Sequence, residues 1–208
     1  VSTSNPPRAY HHGDLRNALI LAGLALLNEE GMAALDLRKV ARRAGVSHAA
    51  PYRHFADKQA LVAAINEHGF QRLTEALQHA IEGAGRQPKA RLRAGTQAYI
   101  AFALAQPALA HAMFSGLTLD RNDYPSLYAA SKQAFGGLIG VIAEGQQRGV
   151  FVKGDPTLIA LTVWSLVHGM AILIIERQYP PEKTEGPALQ KTLDTALQHL
   201  IEGIAMRP

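Results

Sequence analysis

The sequence predicts an all-α protein in two parts: an N-terminal three-helix domain built on a helix-turn-helix, and a larger C-terminal helical domain. Three observations carry this. Apolar residues recur at helical spacing along most of the chain, and no stretch reads convincingly as a strand or as an internal repeat. Residues 35–58, LDLRKVARRAGVSHAAPYRHFADK, read as two short helices joined by a tight glycine turn. Residues 83–89, GAGRQPK, break the composition, and only helical patterns follow them.

The bulk numbers bound the answer. The 208 residues suffice for one or two domains with a substantial core, and 48% hydrophobic with 18% charged residues describes a globular chain. The absence of cysteine excludes disulfides, thiolate zinc sites and cysteine nucleophiles. No apolar run approaches the roughly 18 residues of a membrane span. VSTSNPPRAYHHG at the N-terminus lacks the apolar core of a signal peptide, so the expectation is a soluble, cytoplasmic protein. A pI near 9.5 favours an anionic partner without naming it.

Residues 1–13, with two prolines and Arg8, are expected to form a disordered arm that can reach along a DNA groove. Adjacent His11 and His12 diverge on any regular backbone, so they do not share a metal. Asp14 is expected to cap a first helix with Leu15, Ala18, Leu19, Ala22 and Leu26 along one face, ended by Gly31. After a short link, Leu37, Val40, Ala41 and Ala44 form the next apolar face. Gly45 supplies the positive φ of the turn, Val46 a buried plug, and Ser47 a cap for the following helix. Small Ala41 allows the two helices to cross closely. Between Asp36 and Lys58 six basic residues (Arg38, Lys39, Arg42, Arg43, Arg53, Lys58) face two acidic ones, a net of +4, which equals the net charge of the whole chain. That concentration is the footprint of a phosphate-binding surface.

Asp57 caps the next helix, which starts with Lys58 and runs through Leu61, Ala64, Ile65, Leu73, Leu77 and Ile81. Further helices are expected over 91–105, in a short segment ending at 115, and over 126–148, with a polar loop at 116–125. GVFVKGDP makes a turn in which Asp155 caps and Pro156 takes the first helical position. Residues 157–177 are apolar nearly all round and must be buried on several sides. A proline-containing loop leads to an amphipathic helix over 187–206 with Leu189, Leu193, Ala196, Leu197, Leu200, Ile201 and Ile204.

The spacing Gly45-Val46-Ser47-x4-Tyr52-x-His54-Phe55-x2-Lys58, followed by a long helix, resembles the DNA-binding domain of the TetR family of bacterial transcriptional regulators. The chain departs at Pro51, where the family usually has an aliphatic residue. The resemblance implies a DNA-binding domain over 12–72, with its helix-turn-helix over about 35–54, and a ligand-binding and dimerisation domain over 86–206. It implies that Arg38 reaches a base edge or phosphate, and that Ser47, His48, Ala49 and Ala50 stand at the front of the recognition helix. Tyr52, His54 and Lys58 match phosphate-gripping positions, the Tyr52 ring being expected to pack as well; Arg53 faces out beside them and suits either a base or a phosphate, and Phe55 packs in the core. The implied partners are a palindromic operator in double-stranded DNA, a second copy of the chain and a small-molecule effector. The implied function is a repressor released from DNA by its effector; an activator of the same fold, or a helical adaptor using the basic patch, are the alternatives.

Trp164, His168 and Gly169 in WSLVHG resemble the Trp-His-Gly signature of one TetR subgroup. Trp164 and His168 are four apart and share a helix face. With Tyr99, Phe102, His111, Met113 and Phe114 they can line an apolar pocket with a polar handle, or simply pack. Nothing points to catalysis: there is no HExxH, no Glu-x-x-His pair, no nucleophile beside a base and no phosphate loop after a strand. No cofactor and no metal are expected.

Overall fold

The structure, a computed structural model, describes residues 15–115, 119, 120 and 122–206. The expected arm with Arg8, His11 and His12, the Asp14 cap and part of the loop after Ser115 lie outside these residues. The described residues form α1 (Leu15–Glu30), α2 (Leu37–Arg43), α3 (Lys58–Gly83), α4 (Pro88–Ala105), α5 (Pro107–Ser115), α6 (Pro125–Gln147), α7 (Pro156–Ile175), α8 (Pro181–Thr184) and α9 (Pro187–Ile204), with 3₁₀ turns at Met32–Ala34 and Pro51–Arg53. Two compact units divide between Ile65 and Asn66, inside α3; of the composition break at 83–89, residues 84–87 connect α3 to α4.

In the first unit α1 ends where expected: Gly31 takes φ 79° and its amide bonds the Leu27 carbonyl at 3.0 Å. Leu19, Leu27, Leu35, Val40, Ala41 and Leu61 are buried together as the core. Gly23 brings α1 close to α3, since a Cβ there would stand 2.8 Å from Cδ1 of Ile65. The cap of α2 is Asp36, unforeseen from the sequence although it directly precedes the apolar face. Its Oδ1 accepts from the Arg38 and Lys39 amides at 2.8 and 3.3 Å. The helix closes on Gly45 at φ 70°, with Gly45 N–H donating to Arg42 O and Val46 N–H to Ala41 O, the paired bonds of a Schellman motif. Val46 is half-buried rather than a fully buried plug.

The second helix of the pair is shorter than expected. Pro51 has no N–H to reach back four residues to Ser47. The Ser47 carbonyl instead accepts from Ala50 at 3.0 Å, and the segment tightens into the 3₁₀ turn Pro51–Arg53. Ser47 does not cap it; the turn begins at Ala50 without a side-chain cap. Buried Pro51 and Phe55 anchor this turn to the core. Asp57 then caps α3, accepting from the Ala60 amide at 2.8 Å.

In the second unit α4, α6 and α7 pack on one another and α9 packs on α4. The turn after α6 repeats the glycine stop: Gly149 at φ 67°, with Val150 N–H on Gly145 O at 2.8 Å. Phe151 is fully buried on the bare backbone of Gly145, and it makes an isolated antiparallel bridge with Ala205, the nearest approach to a strand among the described residues. Asp155 caps α7 as expected, accepting from Thr157 N–H at 2.8 Å behind Pro156. On α9, Leu193, Leu197, Ile201 and Ile204 form the buried stripe.

Two expectations about α7 need correction. It is long and apolar enough to cross a membrane by length and composition, so the chain does contain such a run. Nor is it buried on several sides: Ala160, Val163, Val167, Met170 and Ala171 face the interior, while Leu158, Leu161, Leu166 and Leu173 are 40–62% exposed. The reason is geometric. Within this unit α4 and α6 cover one face of α7 and leave the opposite face open.

Candidate functional sites

The first unit presents a polar surface around the 3₁₀ turn. Arg38, Ser47, His48, Ala49, Tyr52, Arg53, His54 and Lys58 are exposed, Ala50 is half-buried, and the Tyr52 ring is 52% exposed rather than packed. Two features of the charge were not legible in sequence. Lys39 Nζ pairs with Glu30 at 2.8 Å, and Arg43 grips Glu29 with both guanidinium ends. That pairing holds the Glu29 carboxyl below its usual range and raises Arg43, hydrogen bonding being the main cause in both. The expected concentration of charge is therefore partly neutralised by α1. Among the described residues of this unit, Arg38, Arg42 and Arg53 form no ion pair. Lys58 is also tied: its Nζ donates to the Met32 carbonyl at 3.1 Å, fastening the start of α3 to the link before α2.

The second unit holds a partly open cavity of about 310 Å³. Phe70, Leu73 and Leu77 of α3 and Arg91, Leu92 and Tyr99 of α4 form one side. Phe114 of α5, Leu127, Phe135 and Val141 of α6, and Val163, Trp164 and Val167 of α7 complete it. Of the seven residues predicted for a pocket, Tyr99, Phe114 and Trp164 lie in its wall; Phe102, His111, Met113 and His168 do not. Met113 is fully buried against α3, where a Cβ on Gly69 would stand 2.7 Å from its sulfur. His111 Nε2 pairs with Glu176 at 2.8 Å. Leu77, Leu92, Leu127 and Phe135 carried a signal as helix faces, but nothing local says that those faces stop short of meeting.

Behind the wall, rings cluster. Trp164 stacks on His168 with centroids 5.3 Å apart, and Phe114 lies 4.4 Å from His168 and 5.8 Å from Trp164. Tyr99 Oη is 2.7 Å from His168 Nδ1. Burial pushes the Tyr99 hydroxyl well above its ordinary pKa, a hydrogen bond with Trp164 working the other way. Burial, and then the His111 charge, push His168 down. A neutral imidazole bears one N–H, so the tautomer decides which partner donates in this bond. Among the described residues no group of three His, Cys, Asp or Glu is placed to hold a metal ion.

Comparison with known proteins follows the same division. Residues 19–65 match the model for bacterial regulatory proteins of the tetR family. Residues 92–200 match the tetracyclin repressor-like C-terminal domain, over half of the chain. The chain belongs to the TetR family.

TetR-family regulators are DNA-binding proteins of transcription control and not enzymes. The HTH-type transcriptional regulator BetI of Yersinia pestis (strain Pestoides F) is 39% identical over 80 residues, 38% of this chain and 40% of BetI. The class G tetracycline repressor protein of Vibrio anguillarum is 48% identical over 52 residues, 25% of each chain. The chain thus spans well under half the length of the curated relatives it matches. A solved protein of unknown function from Rhodococcus sp. RHA1 is 34% identical, with 96% of this chain and 100% of that one covered at a TM-score of 0.84. As a TetR regulator the chain carries its DNA-binding match on α1, α2, the 3₁₀ turn and the start of α3.

Proposed function

We propose that this TetR regulator is a repressor released from a palindromic operator by a small molecule held in the second unit. The observation that carries the reading is the preformed, largely apolar cavity in the C-terminal match, in the same chain as an exposed Arg38–Arg53–His54 surface. The DNA-binding domain is assigned to 12–72 and the ligand-binding and dimerisation domain to 86–206. Ser47, His48, Ala49 and Ala50 stand where bases are read, Arg38 and Arg53 meet a base edge or a phosphate, and Tyr52, His54 and Lys58 grip phosphates. Ligand and operator would weaken each other's binding by the same factor. Such a protein works in the cytoplasm, where its DNA is.

A second copy supplies the missing cover for α7. The open leucine face buries against its own equivalent in a two-fold dimer, the symmetry that a palindrome with half-sites roughly 34 Å apart requires. Leu166→Glu is expected to give monomers by analytical ultracentrifugation; a dimer of unchanged affinity would place the interface elsewhere.

The deciding measurement is fluorescence anisotropy on the DNA upstream of the protein's own gene against scrambled duplex at one salt concentration. A preference of about a thousandfold or more marks specific binding. Equal, weak binding to both would remove self-regulation, and selection from random duplexes would then find the operator or show that there is none.

A further inference from the structure

We infer that the cavity takes an elongated apolar monoanion, a carboxylate on a hydrocarbon body, with the Arg91 guanidinium as its anchor; this rests on the reading of the cavity as the effector site. The body follows from the walls. They run along α6 from Leu127 to Val141, roughly 20 Å of helix at 1.5 Å per residue, and are mostly aliphatic or aromatic.

The polar end follows from counting donors. The hydroxyls of Thr74 and Thr96 donate to the Phe70 and Leu92 carbonyls at 2.9 Å each, and Ser131 donates to Tyr128 O at 2.9 Å. Tyr99 is bound to His168. These groups are committed inside the protein and ask nothing of a ligand. Arg91 differs: it lines the cavity with a part-buried guanidinium, whereas Lys132, the other cation of the wall, is exposed and lies over the Tyr128 ring.

Charge then separates an acid from a neutral acceptor. Arg91 Nη1 pairs with Glu144 Oε2, and Arg148 Nη1 lies 3.4 Å from Glu144 Oε1. Two guanidinium groups share one carboxylate, leaving one positive charge uncompensated beside the cavity. The one carboxylate in the wall, Asp120, precedes α6 at the end away from Glu144 and already accepts from the Asn122 amide at 2.8 Å. A ligand carboxylate answers the excess charge; an alcohol or a cation does not.

The test uses the full chain with decanoate and decan-1-ol as matched probes, at neutral pH, followed by the fluorescence of Trp164. This is the only tryptophan in the sequence, and it stands in the cavity wall. Both probes are expected to change the signal saturably, with decanoate half-saturating at a concentration about tenfold lower or less, the worth of one charge-assisted hydrogen bond. Arg91→Gln is expected to bring decanoate to the level of the alcohol and leave the alcohol unchanged, whereas Lys132→Gln keeps the preference. Equal binding of the two probes to the unmutated chain, or a preference that survives Arg91→Gln, overturns the acid class while the cavity still stands as a binding site. No change in Trp164 fluorescence with either probe overturns both. Should Arg91→Gln not fold, Arg148→Gln removes the excess charge from outside the wall. The preference must then fall several-fold, and an unchanged preference overturns the proposal.

Discussion

The Tyr99 hydroxyl and Nδ1 of His168 share a hydrogen bond of 2.7 Å that joins α4 to α7 directly behind the cavity wall. The bond fixes the imidazole face on which Trp164 stacks. Tyr99→Phe keeps the ring and removes the hydroxyl, leaving the half-buried ring nitrogen of His168 without this partner. That costs about 1–3 kcal/mol. At roughly 2–4 °C per kcal/mol for a chain of this size, the melting temperature should fall by several degrees. Calorimetry of the two proteins checks it, and an unchanged melting temperature would mean that water replaces the phenol.

The same histidine sets a pH dependence. Burial, then the charge of His111, which itself faces Glu176, lowers the folded-state pKa of His168. The unfolded chain protonates near pH 6.5, so below that value it binds a proton that the folded chain refuses. Stability is therefore present above about pH 6.5 and is lost as pH falls toward the lowered value. His68 adds in the same direction, through burial and Arg72, with Glu75 partly opposing. Melting temperatures taken from pH 8 to pH 5 should drop on the acid side, and His168→Gln should flatten part of that slope. Tyr99 works at the other end: its raised pKa keeps the folded state protonated where the unfolded phenol ionises, so stability declines above about pH 10.

Local chemistry made much of this legible. Gly31, Gly45 and Gly149 stop helices because each takes a positive φ, and Asp57 and Asp155 cap because a carboxylate precedes an apolar period. The illegible parts depend on residues far apart in sequence. Glu29 and Glu30 reach Arg43 and Lys39 only once α1 lies against α2, so a count over residues 36–58 overstates the free charge. Pro51 was visible, but its consequence, a tight 3₁₀ turn in place of a regular helix, depends on which donor takes the Ser47 carbonyl. Arg91 reads as a helix-start cation; that its guanidinium stands in a cavity wall is settled by α3, α6 and α7 together. The all-round apolar pattern of α7 shows that both faces want cover without saying whether the cover is the same chain.

Gly45 offers a clean test of the turn. A Cβ there would meet nothing within 4 Å, so substitution costs only backbone strain at φ 70°. Gly45→Ala should destabilise by about 1–2 kcal/mol, and Gly45→Val by more because its branched Cβ tolerates that region less. Gly45→Asn should cost least, since asparagine visits that region most readily among residues with a side chain. Thermal unfolding of the three variants should rank them in that order. A different order would mean that packing rather than backbone conformation governs the turn.

Paired and unpaired arginines of the first unit should behave differently on DNA. Arg53 is exposed and forms no ion pair among the described residues, whereas Arg43 is held by Glu29 through two hydrogen bonds. A phosphate can recruit Arg53 directly, but to recruit Arg43 it must first displace a carboxylate. Removing a cation that neutralises one phosphate lowers the slope of log affinity against log salt by about 0.9. Arg53→Ala should therefore flatten the slope by roughly that amount on any duplex that the protein binds, and Arg43→Ala should leave it nearly unchanged. Arg38→Ala separates reading from gripping: if Arg38 meets a base edge, its removal costs about 1–3 kcal/mol on the operator and relaxes preference at one position. If affinity falls equally on operator and scrambled DNA, Arg38 holds a phosphate instead. Anisotropy titrations over a series of salt concentrations on both duplexes resolve the three variants, because the slope reports phosphates and the operator-to-scramble ratio reports bases.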